Sequence, residues 1–261
     1  MKLQTFFVII IILGLSISVG CAQEKYPEDV VAAVNGKTIT TGDIEQTLTE
    51  RKMTIAIANK LYSPDSNSLT LKDALIQSLS NPQEELNPEQ NRYLESMERM
   101  TTKDLSYNEA FNILLRQEIF FQEAMKLGHE VSMGKAKEIL AESNVSTNQA
   151  LREDEEAWKK YSQNIKYIDE VYKQFGFKSE EDYLNQRIDK TAQFMTISRM
   201  RNQFNKVMAD KLPELDTYQI SNAWNDYGEF LLDKAKVKIA NPDYSVEWYG
   251  KPWGYGSLDL K

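Results

Sequence analysis

Few residues in this sequence offer covalent chemistry. Among 261 residues there is one cysteine, Cys21, and one histidine, His129. His129 directly follows Gly128 at what reads as a helix end, where a cation would sit well against the negative dipole. Its plain reading is a surface residue at a helix terminus. No Cys/His cluster has zinc-ligand spacing, and no G-x-S-x-G, H-E-x-x-H or phosphate loop occurs. A Ser/His/Asp arrangement would have to rest on His129 alone. The acidic pairs Glu84/Glu85, Glu155/Glu156 and Glu180/Glu181 are sequence neighbours, which point in different directions on a helix. They read as solvated faces, although a glycosidase-like pair assembled from distant carboxylates stays open. The reading assigns no catalytic residue, no metal site and no cofactor.

Cys21 stands apart because of what precedes it. Lys2 supplies a short positive start, Phe6 to Leu15 (FFVIIIILGL) is apolar, and Ser16 to Gly20 turns small. The apolar run has the length of a signal-peptide core and falls short of the ~20 residues of a spanning helix. Ser18-Val19-Gly20-Cys21 resembles the bacterial lipobox, with Ser18 where leucine is usual. The expectation is a signal peptide over 1–20, cleavage before Cys21, and lipid on that cysteine. The alternative is an uncleaved anchor with an incidental cysteine. A lone cysteine in an exported chain has no internal disulfide partner, which favours lipidation. Two acyl chains then attach the protein to the membrane stably.

The full chain carries a net charge of −8, and Lys2 is the only charged residue before Cys21, so the remainder is one unit more negative. Such a chain has no electrostatic reason to bind nucleic acid. Anionic headgroups also repel it, so membrane attachment falls to the N-terminal lipid. With 41% apolar residues it has enough for a real core.

The elements that position these residues are mainly helical. Residues 22–29 (AQEKYPED) form a polar tether. Val30–Val34 and Lys37–Thr40 flank Asn35-Gly36, a strong hairpin signal. Thr40 with Asp43 caps a helix to about Leu61. Residues 62–106, punctuated by Pro64, Pro82 and Pro88, hold helical pieces near 70–79 and 88–101. Ser106 to Glu109 is a capping box for a largely buried helix to Leu127, stopped by Gly128. Helices are expected at 133–141, at 147–174, through a stretch after Ser179 without Gly or Pro until Pro213, and at 217–234. Ala235–Ile239 alternates as a strand, so the small β element draws on both ends of the chain.

Methionines and aromatics crowd the helix after Ser179. Phe194, Met195, Met200, Phe204 and Met208 are candidates for an adaptable groove that binds polypeptide, against the plain reading of core. Residues 240–261 form an aromatic, glycine-rich tail around Trp248, Tyr249, Trp253 and Tyr255, fit either to stack on sugars or to clamp across the body.

Four segments carry a family resemblance. They are Val30 to Ile44 (VVAAVNGKTITTGDI), Ile113 to Ser132 (ILLRQEIFFQEAMKLGHEVS), Phe175 to Tyr183 (FGFKSEEDY) and Leu231 to Ile239 (LLDKAKVKI). In order and spacing the sequence resembles the SurA/PrsA group of extracytoplasmic chaperones. The resemblance implies a mainly α chaperone body like the SurA N-terminal domain over 30–239, with the N-terminal hairpin and a C-terminal strand paired. Many members place a parvulin prolyl-isomerase domain between the long helix and the closing helix–strand. Here only Lys211 to Ile220 separates them, and the paired parvulin histidines are missing. The stretch 62–106 reads as an insertion. The implied function is a lipid-anchored chaperone or foldase on the outer membrane face, binding unfolded exported polypeptides without ATP and without isomerase activity. The alternatives are an interaction lipoprotein with one dedicated partner, or residual prolyl isomerisation.

Overall fold

A computed structural model describes residues 26–62, 91, 95, 98, 99, 101–247, 250–258 and 260. Cys21, the residues before it and most of the 62–106 segment lie outside that range. Among the described residues the fold is mainly helical with a three-stranded antiparallel sheet. The strands are β1 (Val30–Val34), β2 (Lys37–Thr40) and β3 (Val237–Ile239). The helices are α1 (Thr41–Tyr62), α2 (Tyr107–Lys126), α3 (Met133–Arg152), α4 (Glu155–Gln174), α5 (Glu180–Gln186), α6 (Ile188–Lys211) and α7 (Thr217–Lys234).

The hairpin forms at Asn35-Gly36, where both residues have positive φ (50° and 90°), as a turn matched to strand twist requires. β1 lies in the middle of the order β2-β1-β3, and all five of its residues are buried. Ala32 pairs with Ile239 and Val34 with Val237, so the two ends of the chain close one sheet. Asn35 ties this joint: its Oδ1 accepts from Lys236 N (2.8 Å) and its Nδ2 donates to Gln122 Oε1 (2.7 Å).

Local signals set most helix ends. Thr40 Oγ1 accepts from Asp43 N (3.2 Å) while Asp43 Oδ2 accepts from Thr40 N (2.9 Å), a reciprocal cap for α1. Ser106 and Glu109 do the same for α2. The Ser106 backbone N–H and then Lys103 hold Glu109 down at a pKa of about 2. At the other end of α2, Gly128 N donates to Met125 O and His129 N to Ala124 O, with Gly128 at φ +84°. Gly176 closes α4 in the same way, with Phe177 N on Tyr172 O.

Two boundaries differ from expectation. The helix from Met133 runs on to Arg152, because Ser143, Asn144 and Ser146 are polar but not helix breakers. The break falls at Asp154, whose carboxylate accepts from Glu156 N and Ala157 N and starts α4. The long stretch after Ser179 is likewise split at Arg187, between α5 and α6.

The main core lies between the sheet, α2, α6 and α7. Phe111, Leu115, Ile44, Met200, Phe204 and Met208 are fully buried there. Two smaller clusters support the rest of the helices. One packs Met53, Val171 and Tyr172 between α1 and α4, and the other packs Val131, Ala136 and Ala192 beneath α3.

The C-terminal tail is a clamp. Leu260 is buried in the main core, and its carbonyl lies 2.7 Å from His129 Nε2. Trp253 packs against Phe204, Tyr227 and Phe230. The tail is therefore part of the body, and the lone histidine holds it there.

Candidate functional site

Helix α6 presents two faces. Ala192, Thr196, Met200, Phe204 and Met208 recur every four residues and are all buried. Lys190, Phe194, Ile197 and Arg201 follow at i, i+4, i+7 and i+11, on a second stripe. This stripe lines a cavity of about 360 Å³ between α1, α2, α6 and α7. Leu114 and Phe120 of α2 and Trp224 of α7 supply its apolar floor. The Phe120 and Trp224 rings are stacked, 4.2 Å apart at 7°. Phe194 stands at the rim with 68% of its surface exposed.

A second cavity of about 360 Å³ adjoins the first along Asp43, Gln46, Leu114, Gln117, Lys190 and Gln193, and it reaches β2 at Lys37–Thr40. Together they form one trough, with an apolar floor and polar walls, beside the edge strand of the sheet.

Asp43, Glu50 and Glu118 of these walls are engaged within the protein, whereas the Asp189 carboxylate, beside Lys190, pairs with none of the described residues. Asp43 caps Thr40. Glu50 accepts from Gln46 Nε2 (2.8 Å) and lies 3.8 Å from Arg187 Nε. Burial and then the Glu50 carboxylate push the Tyr183 hydroxyl up to about 12, so it remains protonated beside Glu50. Glu118 accepts from Gln122 (2.7 Å). Arg201 donates to Ser221 Oγ (3.2 Å) with its guanidinium 5.9 Å from the Trp224 ring. The trough thus presents generic chemistry, apolar contact below and polar groups of both charges above, with the cations in excess.

The structure divides the five residues expected to line a groove. Phe194 is on the trough. Met195 is partly buried against the small cluster of Val131, Ala136 and Ala192. Met200, Phe204 and Met208 are wholly buried in the main core, and this corrects their assignment to a binding surface: their i+4 stripe faces α2 and α7. Leu114, Phe120, Ile197 and Trp224 were missed. The 190/194/197/201 spacing was the available signal for the α6 part of the trough. Nothing local in the sequence marks the α2 and α7 parts.

Among the described residues no group of three or more His, Cys, Asp or Glu is placed to hold a metal ion, and no helix is long and apolar enough to cross a membrane. Of the acidic pairs, Glu155 and Glu156 sit in the first turn of α4. Glu180 lies beside Asp169, which accepts its backbone N–H (2.9 Å); Glu84 and Glu85 are outside the described residues. No protein-family model matches the chain, and no curated protein or solved structure is detectably similar to it.

Proposed function

We propose that this protein is a lipid-anchored, extracytoplasmic holdase that binds unfolded segments of exported polypeptides in the α1/α2/α6/α7 trough, without ATP and without covalent chemistry. The observation that carries the reading is the trough itself, a stacked Phe120–Trp224 floor with the exposed Phe194 ring at its mouth. Large exposed apolar groups beside a concave apolar floor mark interaction sites. The polar walls keep the site soluble when empty. The signal-like start and Cys21 support placement on the outer face of a membrane, and the order of the four segments similar to SurA/PrsA chaperones supports the class.

The test is suppression of aggregation of an unfolded model protein. The wild type should protect at a few-fold molar excess, and Phe194→Asp should lose most of that protection with its circular dichroism unchanged. Protection by neither protein would sink the holdase reading. The anchor has its own test: Cys21→Ser should leave the protein unprocessed or released, and a mature-sized, membrane-bound mutant would refute it.

A second reading draws on the walls. The ammonium groups of Lys37 and Lys190 pair with none of the described residues, and of the carboxylates beside them only Asp189 is equally unpaired, which leaves the cations in excess. That favours one dedicated partner carrying acidic groups. A single stoichiometric partner on co-purification, rather than many clients, would select it.

A further inference from the structure

Residues 240–247, 250–258 and Leu260 cross the helical body as a strap without regular secondary structure. The body holds this strap largely by its main chain. Asn108 Oδ1 accepts from Ser245 N (2.9 Å), Asn112 Nδ2 donates to Ser245 O (2.9 Å), and Asn112 Oδ1 accepts from Glu247 N (2.7 Å). Asn108 Nδ2 also reaches Ser245 Oγ and Glu247 Oε1. Further along, Asp226 Oδ1 accepts from Lys251 N (2.7 Å), and Lys211 Nζ donates to Tyr255 O (2.8 Å) and Ser257 O (3.1 Å).

The spacing explains the match. Asn108 and Asn112 are one helical turn apart on α2, a rise of about 6 Å, while Ser245 and Glu247 are two extended residues apart, about 6.6 Å. Two amides at i and i+4 therefore read alternate peptide units of an extended chain, much as a neighbouring strand would. Most of these bonds depend on peptide groups that every non-proline residue carries. The main side-chain seat in this track is aromatic: Trp253 lies 5.4 Å from Tyr227, 6.1 Å from Phe230 and 6.3 Å from Phe204. Phe204 in turn lies 5.1 Å from Trp224 in the trough floor, so the strap seat and the trough share one aromatic wall.

We infer that this surface is a binding track for extended polypeptide, occupied in cis by the chain's own strap, and that a client segment with one bulky apolar side chain exchanges with the strap there. The inference rests on the holdase reading. Exchange replaces each peptide hydrogen bond with an equivalent one and one large apolar group with another, so no buried polar group is left unpaired. The strap then keeps the track covered between clients.

Amide exchange on the full chain, held in lipid nanodiscs, tests this with a reduced and alkylated protein as the permanently unfolded client. Saturating client should speed exchange of the 244–258 amides several-fold while α2 and α7 amides keep their protection. Trp253→Ala should bind the same client at least threefold more tightly, because the strap competes less well. Client binding with unchanged strap amides overturns the exchange and leaves the holdase reading standing. So does a folded Trp253→Ala protein whose affinity is unchanged or weaker. If that variant does not fold, the exchange experiment on the wild type decides alone. No client binding at all overturns both.

Discussion

Helices α2 and α4 each run for 20 residues, yet seven residues of the first are buried and two of the second. Both carry regularly spaced apolar residues, so the difference lies in what surrounds them. α2 is enclosed by α1, α6, α7 and the sheet, and its Phe111, Leu115 and Phe120 reach the main core. α4 packs on α1, α3 and α5, and only Val171 and Tyr172 near its C-terminal end are buried. One half of the molecule is therefore a body built around α2, and the other is an arm of α3, α4 and α5 on two small clusters. Few buried apolar groups per helix mean low local stability. The arm should open under conditions in which the body and its trough stay intact.

The comparison is broken most directly from the body. Phe204→Ala removes a ring that touches Trp224, Tyr227 and Trp253 and should cost about 3–5 kcal/mol, seen as a large fall in the denaturation midpoint. Tyr172→Ala in the arm deletes the ring that meets Phe177 and Tyr183. It should cost about 2 kcal/mol, and the loss should be confined to amide protection across 155–186. If Tyr172→Ala unfolds the whole chain in one step, body and arm are a single cooperative unit and the distinction fails.

The smallest effect concerns acid, and its sign differs between the two regions. In the arm, burial and then the Asp169 carboxylate hold Glu180 above the usual glutamate pKa of 4.5. The folded arm thus binds that proton more tightly than the unfolded chain does. The resulting stabilisation is complete below 4.5 and is lost as pH rises through the raised folded value. The arm should gain protection as pH falls from neutral towards 4.5, and Glu180→Gln should bring that gain to neutral pH. In the body, Glu109 at about 2 works in the other direction: its contribution is present above 4.5 and disappears as pH falls towards 2. Local amide exchange, corrected for its intrinsic pH dependence, measures both, and a parallel response of the two regions would refute the contrast.

What was readable from the sequence was local. Asn35-Gly36, the Ser106–Glu109 box and the stop at Gly128 each depend on a few adjacent residues, and each stands where the pattern put it. The pairing of the closing strand with the first was expected from the likeness to a known family, and the small sheet has that form. The boundaries at Asp154 and Arg187 were missed because neither segment holds Gly or Pro, and helix propensity alone does not say where a helix yields to its neighbours.

The candidate site was legible only in part. The crowding of Met and aromatic residues on α6 was visible, but periodicity identifies stripes and not their partners. Met200, Phe204 and Met208 on one stripe and Phe194 on the other look alike until α2 and α7 are placed. The floor of the trough comes from Leu114 and Phe120 on α2 and from Trp224, about a hundred residues further on, and no motif marks them. Trp253 and Leu260 carry no period at all.

By itself the sequence determined the mainly helical character, the hairpin, the caps and the helix stops, since these follow from interactions across a few residues. Tertiary structure alone decided which stripe of α6 is core and which is trough, and that the aromatic tail is a strap bound through its main chain. Those outcomes depend on contacts between separate elements, such as Phe204 with Trp224, Asn108 with Ser245 and His129 with Leu260, and no local pattern encodes them.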